Sequence, residues 1–236
     1  MLELENIHTY YGRSHILQGV SLTVRQQEIV CLLGRNGVGK TTTLKSIIGL
    51  TPPRRGAIRF ENKEISGLKT HEISRKGISY VPEDRRIFPS LTVEENLLLG
   101  AKNLIDANSD AKMKNLGKMY NYFPILKARK KQSGGTLSGG EQQMLTIARG
   151  LMGNPKLMLL DEPFEGLAPL VVKELVKIIS LLSQKEDLTL LIVEQNARMA
   201  LRLANRGYVL EKGSVTFEGT SDVMQESEEV RRRCGI

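Results

Sequence analysis

The 236-residue sequence predicts an α/β fold built on a largely parallel sheet, and two observations carry that expectation. Short apolar runs that read as buried strands recur along the chain: "EIVCLL" 28–33, "GISYV" 77–81, "KLMLLD" 156–161, "TLLIVE" 189–194 and "GYVLE" 207–211. Longer stretches with helical spacing, such as "KTTTLKSIIG" and "VVKELVKIISLLS", separate several of them. Parallel neighbours need a long crossover, usually a helix, so this alternation selects a parallel sheet.

The remaining segments take different forms. The first 25 or so residues and "GAIRFENKEI" 56–65 alternate polar and apolar positions near Gly and Pro turns, which predicts antiparallel strands flanking the core. Residues of about 85–153 show no clear strand. "LTVEENLLLGAK" places Thr92 three residues before Glu95, a capping box that opens a helix. "DAKMKNLGKMYNYF" continues with helical spacing and "KKQSGG" is a polar loop. The block reads as a helical insertion into a single domain spanning 1–236.

Bulk properties narrow the function. The longest apolar runs, such as "LMLL", fall far short of the roughly 18 residues that a membrane span needs. "MLELENIH" lacks the basic-then-apolar order of a signal peptide, so a cytoplasmic location is expected. Cys31 and Cys234 have no metal-ligand neighbours at useful spacing and read as ordinary thiols. Without Trp, stacking on nucleobases is not expected to be the main business. The net charge of +8 asks for an acidic partner, with clusters "KARKK" 127–131 and "RRR" 231–233. Charge alone does not choose among a nucleotide, a membrane face and nucleic acid.

Two glycine-rich helix starts carry the chemistry. "GRNGVGKT" 34–41 follows a strand and precedes a helix, the setting that makes GxxxxGK[ST] a phosphate-binding loop. Gly34, Gly37 and Gly39 permit the tight turn. The backbone N–H groups of Asn36, Gly37, Val38, Gly39, Lys40, Thr41 and Thr42 can converge on a β-phosphate. Lys40 reaches the β- and γ-phosphates, and Thr41 offers its hydroxyl to Mg²⁺. "KLMLLDEP" delivers Asp161 to the Mg²⁺ shell and Glu162, next in line, as general base for an attacking water. In "LSGGEQQ", Ser138, Gly139, Gly140 and Glu141 open a second helix whose positive end also suits an anion.

The order of these three motifs resembles that of the ATP-binding cassette (ABC) ATPases over essentially the whole chain. The resemblance implies a RecA-like, mainly parallel core sheet, an N-terminal antiparallel β subdomain and an inserted helical subdomain. It implies that two cassettes meet head to tail, with the 138–141 loop of one capping the γ-phosphate of ATP held by the 34–42 loop of the other. Tyr11 matches the aromatic residue that stacks on adenine, with Tyr10 the weaker candidate. Glu83 in "YVPEDRRIFPSLTVEENL" stands where most cassettes carry a metal-sensing Gln that also contacts the membrane partner. Gln195 in "VEQN" stands where most carry the His that reaches the γ-phosphate, and Ala168 replaces an Asp. An ionised carboxylate at 83 binds Mg²⁺ more directly than an amide does, whereas Gln195 donates a hydrogen bond but carries no proton.

The same segments are similar to the LivF-type ATPases of branched-chain (hydrophobic) amino acid importers, with urea and short-chain amide importers as close relatives. That likeness implies a second, LivG-type cassette as partner, integral-membrane permease subunits and, indirectly, an extracytoplasmic solute-binding protein. It places the chain peripherally on the inner face of a prokaryotic membrane. Motion would pass through residues 85–105, and the chain is expected to be monomeric without nucleotide. A soluble ABC protein acting on nucleic acid or ribosomes is the competing class; it normally has paired cassettes or a long coiled coil, so no nucleic acid partner is expected. A non-hydrolysing, nucleotide-gated binding module is the third, favoured by positions 83 and 195 and opposed by Glu162.

Overall fold

Alternate residues of the central strands serve two different cores, which explains why their sequences are apolar without a break. In β3 (Ile29–Leu33), Val30 and Leu32 face one core while Ile29, Cys31 and Leu33 face the other. The same division holds in β7 (Leu157–Asp161) and β8 (Thr189–Glu194). These strands belong to a six-stranded sheet with β6 (Ile78–Val81), β9 (Arg206–Glu211) and β10 (Ser214–Thr220), in the order β10-β9-β3-β8-β7-β6. All neighbours are parallel except β10, which runs antiparallel to β9. The computed structural model describes residues 1–101 and 109–234, so part of the expected 85–105 segment lies outside the described residues.

A second, antiparallel sheet covers one face in the order β2-β1-β4-β5, from β1 (Leu2–Tyr11), β2 (Ser14–Val24), β4 (Arg55–Phe60) and β5 (Lys63–Glu64). Leu2, Leu4, Ile7, Leu17 and Val20 pack there with Leu32, Leu159 and Leu191 of the large sheet. Glu61 and Asn62 turn β4 into β5 with φ of 49° and 62°, the two-residue hairpin geometry that the "FENKE" alternation needs.

α1 (Lys40–Ile47) follows β3 directly, and α2 (Thr70–Arg75) precedes β6. Between β6 and β7 the described residues form α3 (Val93–Gly100), α4 (Ser109–Tyr122), α5 (Pro124–Ala128) and α6 (Gly139–Leu151). The expected capping box opens α3: Glu95 N–H donates to Thr92 Oγ1 (3.2 Å) and Thr92 N–H donates to Glu95 Oε2 (2.8 Å). Asn96, fully buried, accepts from Phe88 N–H and donates to the carbonyls of Phe88, Leu91 and Thr92, pinning the loop before α3. α7 (Pro169–Lys185) starts with proline in the first turn, where a missing N–H costs no hydrogen bond. α8 (Ala197–Leu203), α9 (Ser221–Glu226) and α10 (Glu228–Cys234) complete the chain. Burial pushes the Cys31 thiol well above its usual range, in keeping with an unreactive core residue.

The parallel strands end on one edge. Leu33 stands beside Glu194, and Asp161 beside Val193. The loop before α1, the carboxylates after β7 and the end of β8 are thereby delivered to one place, the ligand-binding edge of an open α/β sheet.

Candidate active site

The first glycine loop is held by sterics that admit only glycine at two points. A Cβ on Gly34 would lie 2.5 Å from the Leu210 carbonyl oxygen, and Gly39 adopts φ +113° against Leu17. Gly39 caps α1 without any side-chain acceptor, and no acidic residue stands in the first turn. The helix start therefore has no side chain of its own to satisfy its first N–H donors or to offset its positive end. It opens on a cavity of about 370 Å³ lined by Tyr11, Ile16, Asn36, Gly37, Gly39, Lys40, Thr41, Thr42, Glu83, Glu162 and Glu165. Gly34 packs against Leu210 and Val38 against the core that holds Val30 and Leu32, so both shape the loop from behind.

Lys40 is nearly inaccessible and its Nζ lies 3.0 Å from Glu162 Oε1, while donating to the Arg35 carbonyl at 3.2 Å. Both partners are buried, and removing either would leave the other's charge uncompensated. Asp161 accepts from Thr41 Oγ1 (2.9 Å) on one carboxylate oxygen and from Tyr80 Oη (2.8 Å) on the other. Burial raises the Asp161 carboxyl, against which the two hydrogen bonds act. Thr41 and Glu83 line this cavity and Asp161 is hydrogen-bonded to Thr41; hydroxyl and carboxylate oxygens are the donor chemistry that suits Mg²⁺. Glu162 holds φ +45°, sparsely populated for a residue with a side chain, and its N–H donates to Val193 O at 2.9 Å. Glu165 hydrogen-bonds Glu162, which raises its carboxyl above the usual range.

Gln195 lies apart from this cavity. It lines a neighbouring one of about 820 Å³ that Glu162 and Glu165 also border. Tyr11 lines the first cavity, while Tyr10 stacks on His15 (centroids 4.2 Å apart) under Arg54.

The second glycine loop stands elsewhere, and none of Ser138–Glu141 lines the first cavity. Ser138 and Gly139 are exposed. Ser138 caps α6: its Oγ accepts from Glu141 N–H (3.4 Å), and Glu141 Oε2 accepts from Ser138 N–H (2.9 Å). The other Glu141 oxygen is 2.8 Å from Arg129 Nε. One chain thus carries both expected anion sites without bringing them together.

Sequence reasoning missed Tyr80, Glu165, Ile16 and Glu194. Tyr80 of β6 directs its hydroxyl to Asp161, and a phenol within a short buried strand was the available signal. Glu165 lies three residues beyond Glu162, and Glu194 directly precedes Gln195. Neither carries a signal beyond its proximity to a motif.

The ABC transporter family profile matches residues 17–165. The high-affinity branched-chain amino acid transport ATP-binding protein BraG of Pseudomonas aeruginosa is 45% identical, across 98% of this chain and 97% of its own. The probable branched-chain amino acid transport ATP-binding protein LivF of Archaeoglobus fulgidus is 36% identical, across 99% and 98%. A crystal structure titled as the ADP conformation of an ATP-binding cassette of an ABC transporter superimposes with a TM-score of 0.86 at 28% identity, covering 98% of this chain and 97% of that one.

The chain belongs to the ABC transporter family, within its ATP-binding subunits. The P-loop α/β fold and the ATPase activity expected from the three motifs are those of this family. Among the described residues no helix is long and apolar enough to cross a membrane.

Proposed function

We propose that this chain energises uptake of branched-chain, hydrophobic amino acids, as the ATP-hydrolysing subunit of an ABC importer. The observation that carries the catalytic part is the buried Lys40–Glu162 pair beside the Thr41–Asp161 hydrogen bond, on a cavity backed by a free helix start. The cargo rests on the full-length likeness to BraG and LivF.

In this reading ATP enters the 370 Å³ cavity with adenine on Tyr11 and the phosphates on residues 36–42. Lys40 exchanges its contact with Glu162 for the β- and γ-phosphates. Glu162, released from that pair, takes the proton of the attacking water. Mg²⁺, held by Thr41, Asp161 and Glu83, would neutralise phosphate charge. Gln195 donates to the γ-phosphate, and Ser138, Gly139, Gly140 and Glu141 of a second cassette close the other side. That second cassette is a different, LivG-type chain.

The chain acts as one domain, 1–236, with its helical block at about 85–153. It sits on the inner membrane face through permease subunits, which deliver cargo received from an extracytoplasmic binding protein. A groove of about 440 Å³ lined by Leu50, Tyr80, Phe88, Leu99 and Arg149 suits such a permease segment, with Phe88 and Leu50 exposed. Tyr80 borders that groove and also bonds Asp161, so the groove and the metal shell share one side chain.

Glu162→Gln tests the chemistry: turnover is expected to fall about 10²–10⁴-fold with ATP binding retained. Hydrolysis at the parent rate would remove Glu162 as the base. Expression in cells lacking their own branched-chain amino acid cassette tests the cargo. Restored leucine uptake supports it, and restored urea or amide uptake alone would reassign it.

A further inference from the structure

Glu162 stands in a backbone conformation that something must enforce. A left-handed residue with a side chain is strained and persists only where its surroundings over-determine it. Here the restraints come from the end of β8. On one side, Glu162 N–H donates to the Val193 carbonyl at 2.9 Å. On the other, two residues on, Phe164 N–H donates to Glu194 Oε1 at 3.3 Å. The backbone amides of Gln195 and Asn196, which follow it, also favour its charged form. Glu194 is only 4% exposed and lies at the last position of β8, beside Leu33, the residue that directly precedes the first glycine loop.

The proposed hydrolysis leaves this buried carboxylate without a part, although it links the base to the Gln195 segment. We propose that Glu194 is a positioning residue for hydrolysis: its ionised carboxylate gathers the amides of Phe164, Gln195 and Asn196 and so fixes the strained backbone that aims Glu162 at the water. The inference rests on Glu162 being the general base. Hydrogen bonds from N–H groups to an ionised acceptor are about twice as strong as neutral ones, so proton uptake at Glu194 slackens the bracket.

The surroundings favour that uptake near neutrality. Burial lifts the Glu194 carboxyl to about 7, the Phe164 N–H bond opposes the shift and the charge of Glu162 adds to it. Cys31 of β3 also feels the charge of Glu194, and the other titratable groups on the cavity that Glu194 borders are Glu165 after β7, Lys173 of α7, Arg198 and Arg202 of α8 and Cys234 of α10. The cations among them line the cavity wall and are exposed. Among the described residues no ion pair neutralises Glu194.

The test measures kcat and KM for Mg²⁺–ATP from pH 5.5 to 9 on the assembled transporter carrying the parent chain, Glu194→Gln or Glu194→Ala. Exchange of the 162–165 backbone amides with deuterated solvent is followed in parallel. In the parent, kcat should rise through pH 7. Glu194→Gln keeps the acceptor oxygen but not the charge, so kcat should drop three- to tenfold at pH 8 and lose that rise. Glu194→Ala should drop it ten- to a hundredfold, with KM for ATP within twofold and faster exchange at 162–165. The proposal is overturned if both variants keep the parent's rise, if KM moves and kcat does not, or if exchange at 162–165 is unchanged. Glu162→Gln separates the two readings. If that variant still hydrolyses ATP the base assignment fails, whereas a wild-type profile for Glu194→Gln beside a dead Glu162→Gln removes Glu194 alone.

Discussion

The two glycine-rich helix starts of this chain look alike in sequence and are finished in opposite ways. At α1 no side chain caps the helix, no acidic residue stands in the first turn and the donors open on a cavity. At α6 the start is closed on itself, with Ser138 and Glu141 capping each other and Arg129 beside the carboxylate. A free start is a standing anion site, because unsatisfied N–H groups and the helix dipole wait for a ligand. A self-capped start must exchange its own contacts before it receives one. The difference fits the proposed function, in which α1 holds phosphate by itself and α6 meets an anion brought by another surface. That is the physical content of a nucleotide shared between two cassettes.

The widest separation should come from adding one methyl group to each loop. Gly39→Ala places a side chain at φ +113° and against Leu17, at a cost of about 1–3 kcal/mol. Fluorescent-nucleotide titration of the isolated chain should show ATP affinity reduced at least tenfold. Gly139→Ala needs no left-handed backbone and meets the movable guanidinium of Arg85. Its isolated chain should bind ATP as the parent does while turnover of the assembled transporter falls. Equal loss of affinity in both variants would erase the distinction between the loops.

Acid should also act on one start and spare the other. Asp161, Glu165 and Glu194 around the first loop all have raised carboxyls. The folded chain therefore holds protons at these groups to higher pH than the unfolded chain does, and stability falls as pH rises through that window. For Glu194, lifted from 4.5 to about 7, the loss between those values amounts to about 3 kcal/mol. Glu194→Gln should remove that slope. Urea unfolding at pH 5 and pH 8 gives the check: the variant should gain stability relative to the parent at pH 8 more than at pH 5. A parent and variant with parallel pH dependence would contradict the raised carboxyl.

Much of this was legible in the sequence because the informative residues act locally. A buried strand between two cores must be apolar on both faces, so "IVCLL", "LMLL" and "TLLIVE" announced β3, β7 and β8. The capping box at Thr92 is a three-residue spacing that reads directly, whereas the same spacing from Ser138 to Glu141 sits in a glycine-rich stretch that reads first as an anion site. β10, α9 and α10 escaped notice because an edge strand with mixed exposure and helices of six and seven residues leave weak periodicity. The site divided along the same line. The first loop, Asp161 and Glu162 follow one another in contiguous motifs, whereas Tyr80 reaches Asp161 across 81 positions and Glu194 reaches Phe164 across 30. Such pairings exist only once strand order is set.

The smallest effect belongs to the adenine end and the two adjacent tyrosines. Tyr11 is 45% exposed on the wall of the first cavity, with its hydroxyl 3.4 Å from Thr51 Oγ1. Tyr10 lies on the other side of β1, its ring already occupied by His15 at 4.2 Å and Arg54 at 4.7 Å. A ring free on one face offers a base about 1–3 kcal/mol of stacking, by analogy with aromatic platforms for single strands. Tyr11→Ala should therefore weaken ATP binding by roughly five- to a hundredfold and Tyr11→Phe hardly at all, since the face and not the hydroxyl does the stacking. Tyr10→Ala should leave nucleotide affinity within twofold and cost only the packing of the His15 and Arg54 stack. Isothermal titration of the three variants with ATP and with tripolyphosphate separates base from phosphate recognition. If Tyr11→Ala loses affinity for both ligands equally, its ring supports the phosphate loop and the adenine is held by something else.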